Sequence, residues 1–212
     1  MSSVPDWLRP LVRAARTAGP DQTRFAPPED GSGRASAVLI AFADTGDGPG
    51  VLLIKRAADL RRHPGQVAFP GGAVDDTDAD HVAAALREAE EEVGLDPASV
   101  QTVAQLPPIF IPPSGFVVTP VLAWWHDPHP VAPVSAREVE RVSVVPVAAL
   151  TDPAHRFRTV HPSGLVAPGF EVDGLFVWGF TGMLLDRLLT LAGWSRPWDE
   201  SKRRPIPPAV SR

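Results

Sequence analysis

The sequence predicts one α/β (α+β) domain, and three observations carry that prediction. Short apolar runs bounded by glycine, proline and aspartate recur along the chain, as strands require. Residues 77–94 show helical periodicity with capping residues at both ends. Asp173-Gly174 lies between two further strand-like runs, a strong two-residue hairpin signal. A length of 212 residues suits a single domain, and a 44% hydrophobic content supplies its core. Pattern alone does not reach a topology.

The elements follow in order. In residues 7–18, Trp7, Leu8, Leu11, Val12 and Ala15 recur at helical spacing and predict a short amphipathic helix. A polar stretch containing proline and glycine follows, so residues 1–34 read as an N-terminal helix and linker. Runs 35–43 and 51–55 flank a turn rich in glycine and aspartate and read as two strands. A basic loop then leads to Phe69-Pro70-Gly71-Gly72.

For the helix over 77–94, Thr77 or Asp78 is the expected cap, with further acids in the first turn, where the helix dipole favours them. Gly94 supplies a left-handed end. Val82, Ala85, Leu86, Ala89 and Val93 make its apolar stripe. Runs 100–106, 115–125 and 139–146 read as strands, 169–178 as the hairpin, and 181–192 as a closing helix with Gly193 as its cap. The main domain is thus 35–194, and 195–212 reads as a flexible tail. The 25 prolines gather near 20–28, 107–113, 128–133 and after 197, in loops and ends, because proline forbids helix interiors and central strands.

Composition excludes several functions. Without cysteine there is no disulfide, no thiolate metal site and no cysteine nucleophile. A net charge of -5 argues against general nucleic-acid binding, which needs a basic surface. No apolar run is long enough to span a bilayer, and the start lacks the pattern of a signal peptide. The expected home is the cytoplasm, and no membrane contact is expected. An anionic substrate would then need local basic residues or a metal ion.

The chemistry concentrates in Arg87-Glu88-Ala89-Glu90-Glu91-Glu92-Val93-Gly94-Leu95. On a helix Glu88, Glu91 and Glu92 occupy positions i, i+3 and i+4, so their carboxylates share one face, away from the apolar stripe. Clustered carboxylates repel one another unless a cation sits among them, and hard oxygen ligands suit Mg2+ or Mn2+. Arg87 can reach Glu91 across one turn. A run of glutamates alone is more often a solvated face. The upstream Gly71-Gly72 alters that balance, because glycines let the backbone approach a metal or phosphate closely.

Gly72, an acidic loop and residues 87–95 together resemble the box of the Nudix hydrolases, G-x5-E-x7-R-E-U-x-E-E-x-G-U, where U is aliphatic. The last nine positions match, with Ala89 a small occupant of the first aliphatic place. The front half departs: Asp78 stands where glutamate is expected, and one extra residue precedes Arg87. Leu52-Leu53-Ile54-Lys55-Arg56-Ala57, with Arg61, Gly65 and Phe69-Pro70-Gly71-Gly72, is similar to the motif of the coenzyme A diphosphatases of that family. Ile54 alone departs from it, replacing a threonine.

The resemblance implies a Nudix α/β/α sandwich, a mixed sheet between helices with a loop–helix box. It implies Glu88, Glu91 and Glu92 as metal ligands for Mg2+ or Mn2+, and catalytic roles for Glu91, Glu92 and Arg87. Arg56, Arg61, Gly71 and Gly72 become the expected substrate contacts. The implied reaction cleaves the diphosphate of coenzyme A or a thioester of it.

Alternatives remain open at this level. ADP-ribose or another nucleoside diphosphate derivative would keep the chemistry, and a non-catalytic nucleotide sensor would not. The general base is one of the helix acids, with Glu138 or Glu140 on a later segment as rivals; Glu138 reads as a surface residue. Phe110 and Phe116 read as core rather than as a substrate channel, as do Trp178 and at least one of Trp124 and Trp125. His126, His129, His155 and His161 share no metal-ligand spacing. The expected partner is a small molecule, and the sequence is compatible with a homodimer without requiring one.

Overall fold

The computed structural model describes residues 4–19 and 25–208. Part of the expected linker and the last four residues of the expected tail lie outside that range. The chain runs α1 (Arg9–Thr17), β1 (Arg34–Asp44), β2 (Pro49–Arg56), β3 (Val67–Ala68), β4 (Gly71–Ala73), α2 (His81–Val93), β5 (Val100–Gln105), β6 (Ile109–Ile111), β7 (Phe116–Trp125), β8 (Val139–Pro146), α3 (Val147–Thr151), β9 (Arg156–Val160), β10 (Val166–Val172), β11 (Leu175–Val177), α4 (Gly179–Leu191) and β12 (Arg203–Pro205).

The first sheet is mixed. Its axis is the long parallel pair of β1 with β7, which runs from Arg34 opposite Phe116 to Ala43 opposite Trp125. Strands β2 and β4 both pair antiparallel with β1, at opposite ends of it, and β8 pairs with the far edge of β2. Strands β5 and β6 cover the outer edge of β7. A second sheet has the order β11-β10-β9-β12.

Because side chains alternate along a strand, β1 and β7 divide the core in two. Ile40, Phe42, Leu122 and Trp124 face α1, α4 and the second sheet. Leu39, Ala41, Val121 and Trp125 face α2. Both tryptophans are therefore core residues on opposite faces. A sheet buried on both faces between helices is the sandwich that the resemblance implies. No helix among the described residues is long and apolar enough to cross a membrane.

Two expectations need correction. Helix α2 starts at His81, not at 77, and its cap is Asp80, whose carboxylate accepts the Ala83 N–H at 2.8 Å. The first turn holds no acid. Three capping residues stand close together in the sequence, and Asp78 is diverted to Arg87. The segment after Ser195 is also no loose tail. Strand β12 pairs parallel with β9, from Arg203 opposite Arg158 to Pro205 opposite Val160. Trp198 lies under the guanidinium groups of Arg156 and Arg158, 4.8 and 5.4 Å from its ring centre. The hairpin is as expected, with Asp173 (φ 51°) and Gly174 (φ 75°) both left-handed at its tip.

Candidate active site

The site begins with how closely α2 approaches the sheet. Ala84, Ala85 and Ala89 are buried on the helix, and Ala37, Ala41 and Ala123 are buried in the core against which it packs. Small side chains on both sides allow a short separation between layers. Glu88 and Glu92, on the flank of that contact, then reach strand β4.

Two glycines are required at β4 for different reasons. A Cβ on Gly71 would stand 2.3 Å from the Ala37 carbonyl oxygen, so pairing with β1 excludes any side chain there. A Cβ on Gly72 would stand 2.3 Å from Glu88 Oε1, so here the acid itself excludes one. The Gly71 N–H donates to Glu92 Oε2 at 3.0 Å.

Glu92 is the most enclosed acid of α2, with a side chain 8% exposed. Burial pushes its carboxyl up to about 7, with Glu88 and Glu138 adding to the rise and the Gly71 N–H and Arg56 opposing it. Arg56 Nη1 stands 3.9 Å from Glu92 Oε1. Burial also raises Glu88, and outweighs the nearby Arg87 guanidinium. Glu91 is different: its side chain is 59% exposed and contacts Arg87 Nη1 at 3.0 Å.

Arg87 is the hub. Its Nε and Nη2 donate to the two oxygens of Asp78, both at 3.0 Å, and Nη2 also reaches the Ala73 carbonyl at 3.1 Å. Nη1 is shared between Glu88 at 3.2 Å and Glu91 at 3.0 Å. Asp78 is pulled well below the usual carboxylate range by these bonds, and they hold the Arg87 proton more firmly than usual. Asp78 also accepts the Asp75 N–H at 2.8 Å. Its carboxylate is thus spent on fixing Arg87 and the loop before α2.

The structure brings Arg56, Gly71, Gly72, Arg87, Glu88 and Glu92 together, with Glu91 on the solvent side. Arg61 stands exposed on the loop between β2 and β3. Arg56 N–H donates to the Gln66 carbonyl and Gly65 N–H to the Ala57 carbonyl, which closes that loop on itself. Lys55 is tied to Glu140 at 2.6 Å. Glu138 is exposed, as expected, yet its charge acts on Glu92. The cause is register: Val139 pairs with Arg56, and the Glu138 carbonyl accepts the Ala57 N–H. No local pattern in the sequence reports such a pairing.

The donors fit a divalent cation in kind. They are hard carboxylate oxygens, and two of them are enclosed with too little positive charge nearby, as their raised proton affinity shows. Among the described residues no three acids or histidines converge as a finished cage, and Arg87 draws Glu91 toward itself.

Comparison with known proteins identifies the family. The NUDIX domain model matches residues 33–164. An uncharacterised Nudix hydrolase, NudL, of Cronobacter sakazakii is 42% identical over 167 residues, covering 76% of this chain and 83% of that protein. The Escherichia coli K12 protein of the same name matches to the same extent. The crystal structure of a Nudix hydrolase from M. smegmatis, RenU, superposes with a TM-score of 0.54 at 19% identity, covering 79% of this chain and 90% of that one. A Nudix hydrolase from Nitrosomonas europaea gives 0.52 at 14% identity, covering 82% and 80%. Nudix hydrolases generally use divalent metals, which suits the acids of α2. With a matching family model, close relatives and a shared fold, this chain belongs to the Nudix hydrolases, which act on diphosphate-type anhydrides.

Proposed function

We propose that the chain hydrolyses the diphosphate bond of coenzyme A or its thioesters, in the cytoplasm, with Mg2+ or Mn2+. The products are 3′,5′-ADP and 4′-phosphopantetheine or its acylated form. The observation that carries this reading is the segment 52–72. Its arginines rise on a closed loop whose stem, Arg56, touches the most enclosed acid of α2. Coenzyme A bears a third phosphate on its ribose, so its enzyme needs cations beyond those that serve the diphosphate. Arg61 and Arg62 are exposed on that loop, and a guanidinium fork suits phosphate oxygens.

Within this reading Glu88, Glu91 and Glu92 would hold the cation. Such an ion, when bound, would supply Lewis-acid charge to the diphosphate and lower the pKa of the attacking water. Arg87 orients Glu88 and Glu91 together through one nitrogen. Glu91, open to solvent, takes the proton of the attacking water. Gly71 and Gly72, which carry no side chain between the backbone of β4 and the acids, are the substrate contacts in this reading. Every residue used comes from one chain, so a homodimer is compatible and not needed.

The test is phosphorus NMR with mass spectrometry on the purified chain, coenzyme A and Mg2+ or Mn2+, with Glu91→Gln and an ADP-ribose sample alongside. Metal-dependent release of 4′-phosphopantetheine and 3′,5′-ADP, lost in the variant, is the expected result. Turnover of ADP-ribose with silence on coenzyme A would keep the hydrolysis and refute the substrate. Silence on both would favour a nucleotide sensor.

A further inference from the structure

The cations of the site differ in how their donors are used. Arg87 is saturated by Asp78, Ala73, Glu88 and Glu91. Lys55 is bound to Glu140 at 2.6 Å. Arg56 is not engaged in this way. Its Nη1 lies 3.9 Å from Glu92 Oε1, within ion-pair range and beyond a hydrogen bond. Its Nε is buried and has no hydrogen-bond partner among the described residues. An enclosed guanidinium N–H without an acceptor is costly, so the arrangement calls for a function.

The backbone shows how this posture is maintained. Pairing of β2 with β8 slips between Lys55 and Arg56, and the Arg56 N–H is fixed to the Gln66 carbonyl at 2.9 Å. The main chain is thereby held at the stem of the basic loop, while the guanidinium end remains uncommitted. A bulge of this kind re-aims a side chain. Here the extra residue is Glu140 on β8, which is drawn to Lys55, while Arg56 stays opposite Val139 with its guanidinium toward Glu92.

We propose that Arg56 is a built-in counterion for Glu92, that it gives way when a divalent cation takes that carboxylate, and that its guanidinium, with no hydrogen bond to give up, then turns to the substrate's phosphate. The metal then binds before the substrate. The inference rests on the cation site of the proposed function and adds an order of binding to it. In the empty site Arg56 offsets part of the repulsion among Glu88, Glu92 and Glu138. With the cation in place that charge becomes repulsive to it, and the unspent Nε–H and Nη–H groups find acceptors on phosphate oxygens. One residue thus serves two anions in turn.

The experiment is calorimetric titration of the metal-free chain with Mn2+ alone, for wild type, Arg56→Gln and Arg56→Lys. Because Arg56 competes with the cation, Arg56→Gln is expected to bind Mn2+ tighter, on the order of tenfold. Arg56→Lys, which keeps the charge, stays close to wild type. A scaffold role predicts unchanged or weaker binding in Arg56→Gln, and either result would overturn the inference. Failure of wild type to bind Mn2+ would overturn the cation site and this inference together, whereas binding that ignores residue 56 overturns the inference alone.

Wild-type protein gives a second readout that no misfolded variant can confuse. The Arg56 Nε–H signal in nitrogen–proton NMR is expected to move when Mg2+ saturates the site. Inorganic phosphate added without Mg2+ should leave it in place. A signal indifferent to Mg2+ would refute the exchange.

Discussion

Replacing Glu92 by glutamine isolates the energetic cost of the acidic site. In the metal-free chain the Glu92 carboxyl is raised from 4.5 to about 7, chiefly by burial. The folded state therefore holds this proton more tightly than the unfolded state. The sign follows from linkage: where the folded state binds more protons, stability falls as pH rises. Glu92 contributes its full stabilisation below about pH 4.5, loses it progressively up to about pH 7, and contributes none above. At about 1.4 kcal/mol for each unit of pKa, the loss is about 3 kcal/mol.

Glutamine keeps the acceptor for the Gly71 N–H and cannot ionise, so Glu92→Gln should not show that loss. The assay is urea or thermal unfolding of chelator-treated wild type and variant between pH 4.5 and 8. The difference between them cancels the titration of groups that do not interact with Glu92 and leaves that of Glu92 with the neighbours coupled to it, Glu88 and Glu138. The variant should gain about 3 kcal/mol on wild type across that window, roughly 6–12 °C in Tm for a chain of this size. Added Mn2+ should narrow the gap by stabilising wild type more. Parallel curves for the two proteins would refute the claim that Glu92 is an enclosed and undercompensated charge.

The remaining expectations follow from geometry. Gly71→Ala sets a Cβ against the β1 backbone and should cost about 2–4 kcal/mol in denaturant unfolding. Gly72→Ala meets the carboxylate end of the Glu88 side chain rather than backbone, so it should cost much less stability while weakening Mn2+ binding in titration. Equal destabilisation by the two would contradict this. Asp186→Ala leaves Arg156, 1% exposed, without its ion-pair partner and should cost about 2 kcal/mol, reduced from the value for a fully buried pair because Asp186 is 32% exposed. Truncation after Pro197 removes Trp198 and β12 and should lower Tm by several degrees. An unchanged melting curve would return that segment to the status of a loose tail.

Legibility of the sequence depended on the range over which each signal acts. The Gly94 end of α2, the Asp173-Gly174 turn and the apolar run of β1 are local, and they appear where expected. The shared face of Glu88 and Glu92 is also local, because helical spacing dictates it. The cap failed for a physical reason. Thr77, Asp78 and Asp80 are all competent, and the choice was settled by Arg87, which binds Asp78 from the far side of the loop. Strands β9 and β12 escaped because each becomes a strand through its partner, Arg203–Pro205 lying beside Arg156–Val160 across a long separation in sequence. Glu138 joins the acids through the register of β2 with β8, which no spacing along the chain encodes.

The same helix supplies the packing and the chemistry, and the two demands bind each other. Alanines at 84, 85 and 89 are poor contributors of buried apolar area, and larger residues would give a stronger core. Larger residues would also lift α2 from the sheet and carry Glu88 away from Gly72, where no room is left for a Cβ. The chain accepts weak packing on this face in order to bring acids against a glycine backbone, and then carries the cost of keeping those acids enclosed. Compensation lies on the opposite face, where Phe42, Leu122, Trp124 and the leucines of α4 form the larger cluster. That division explains why the enclosed carboxylates sit on the α2 side of the sheet, while α1, α4 and the second sheet close the other side with large side chains.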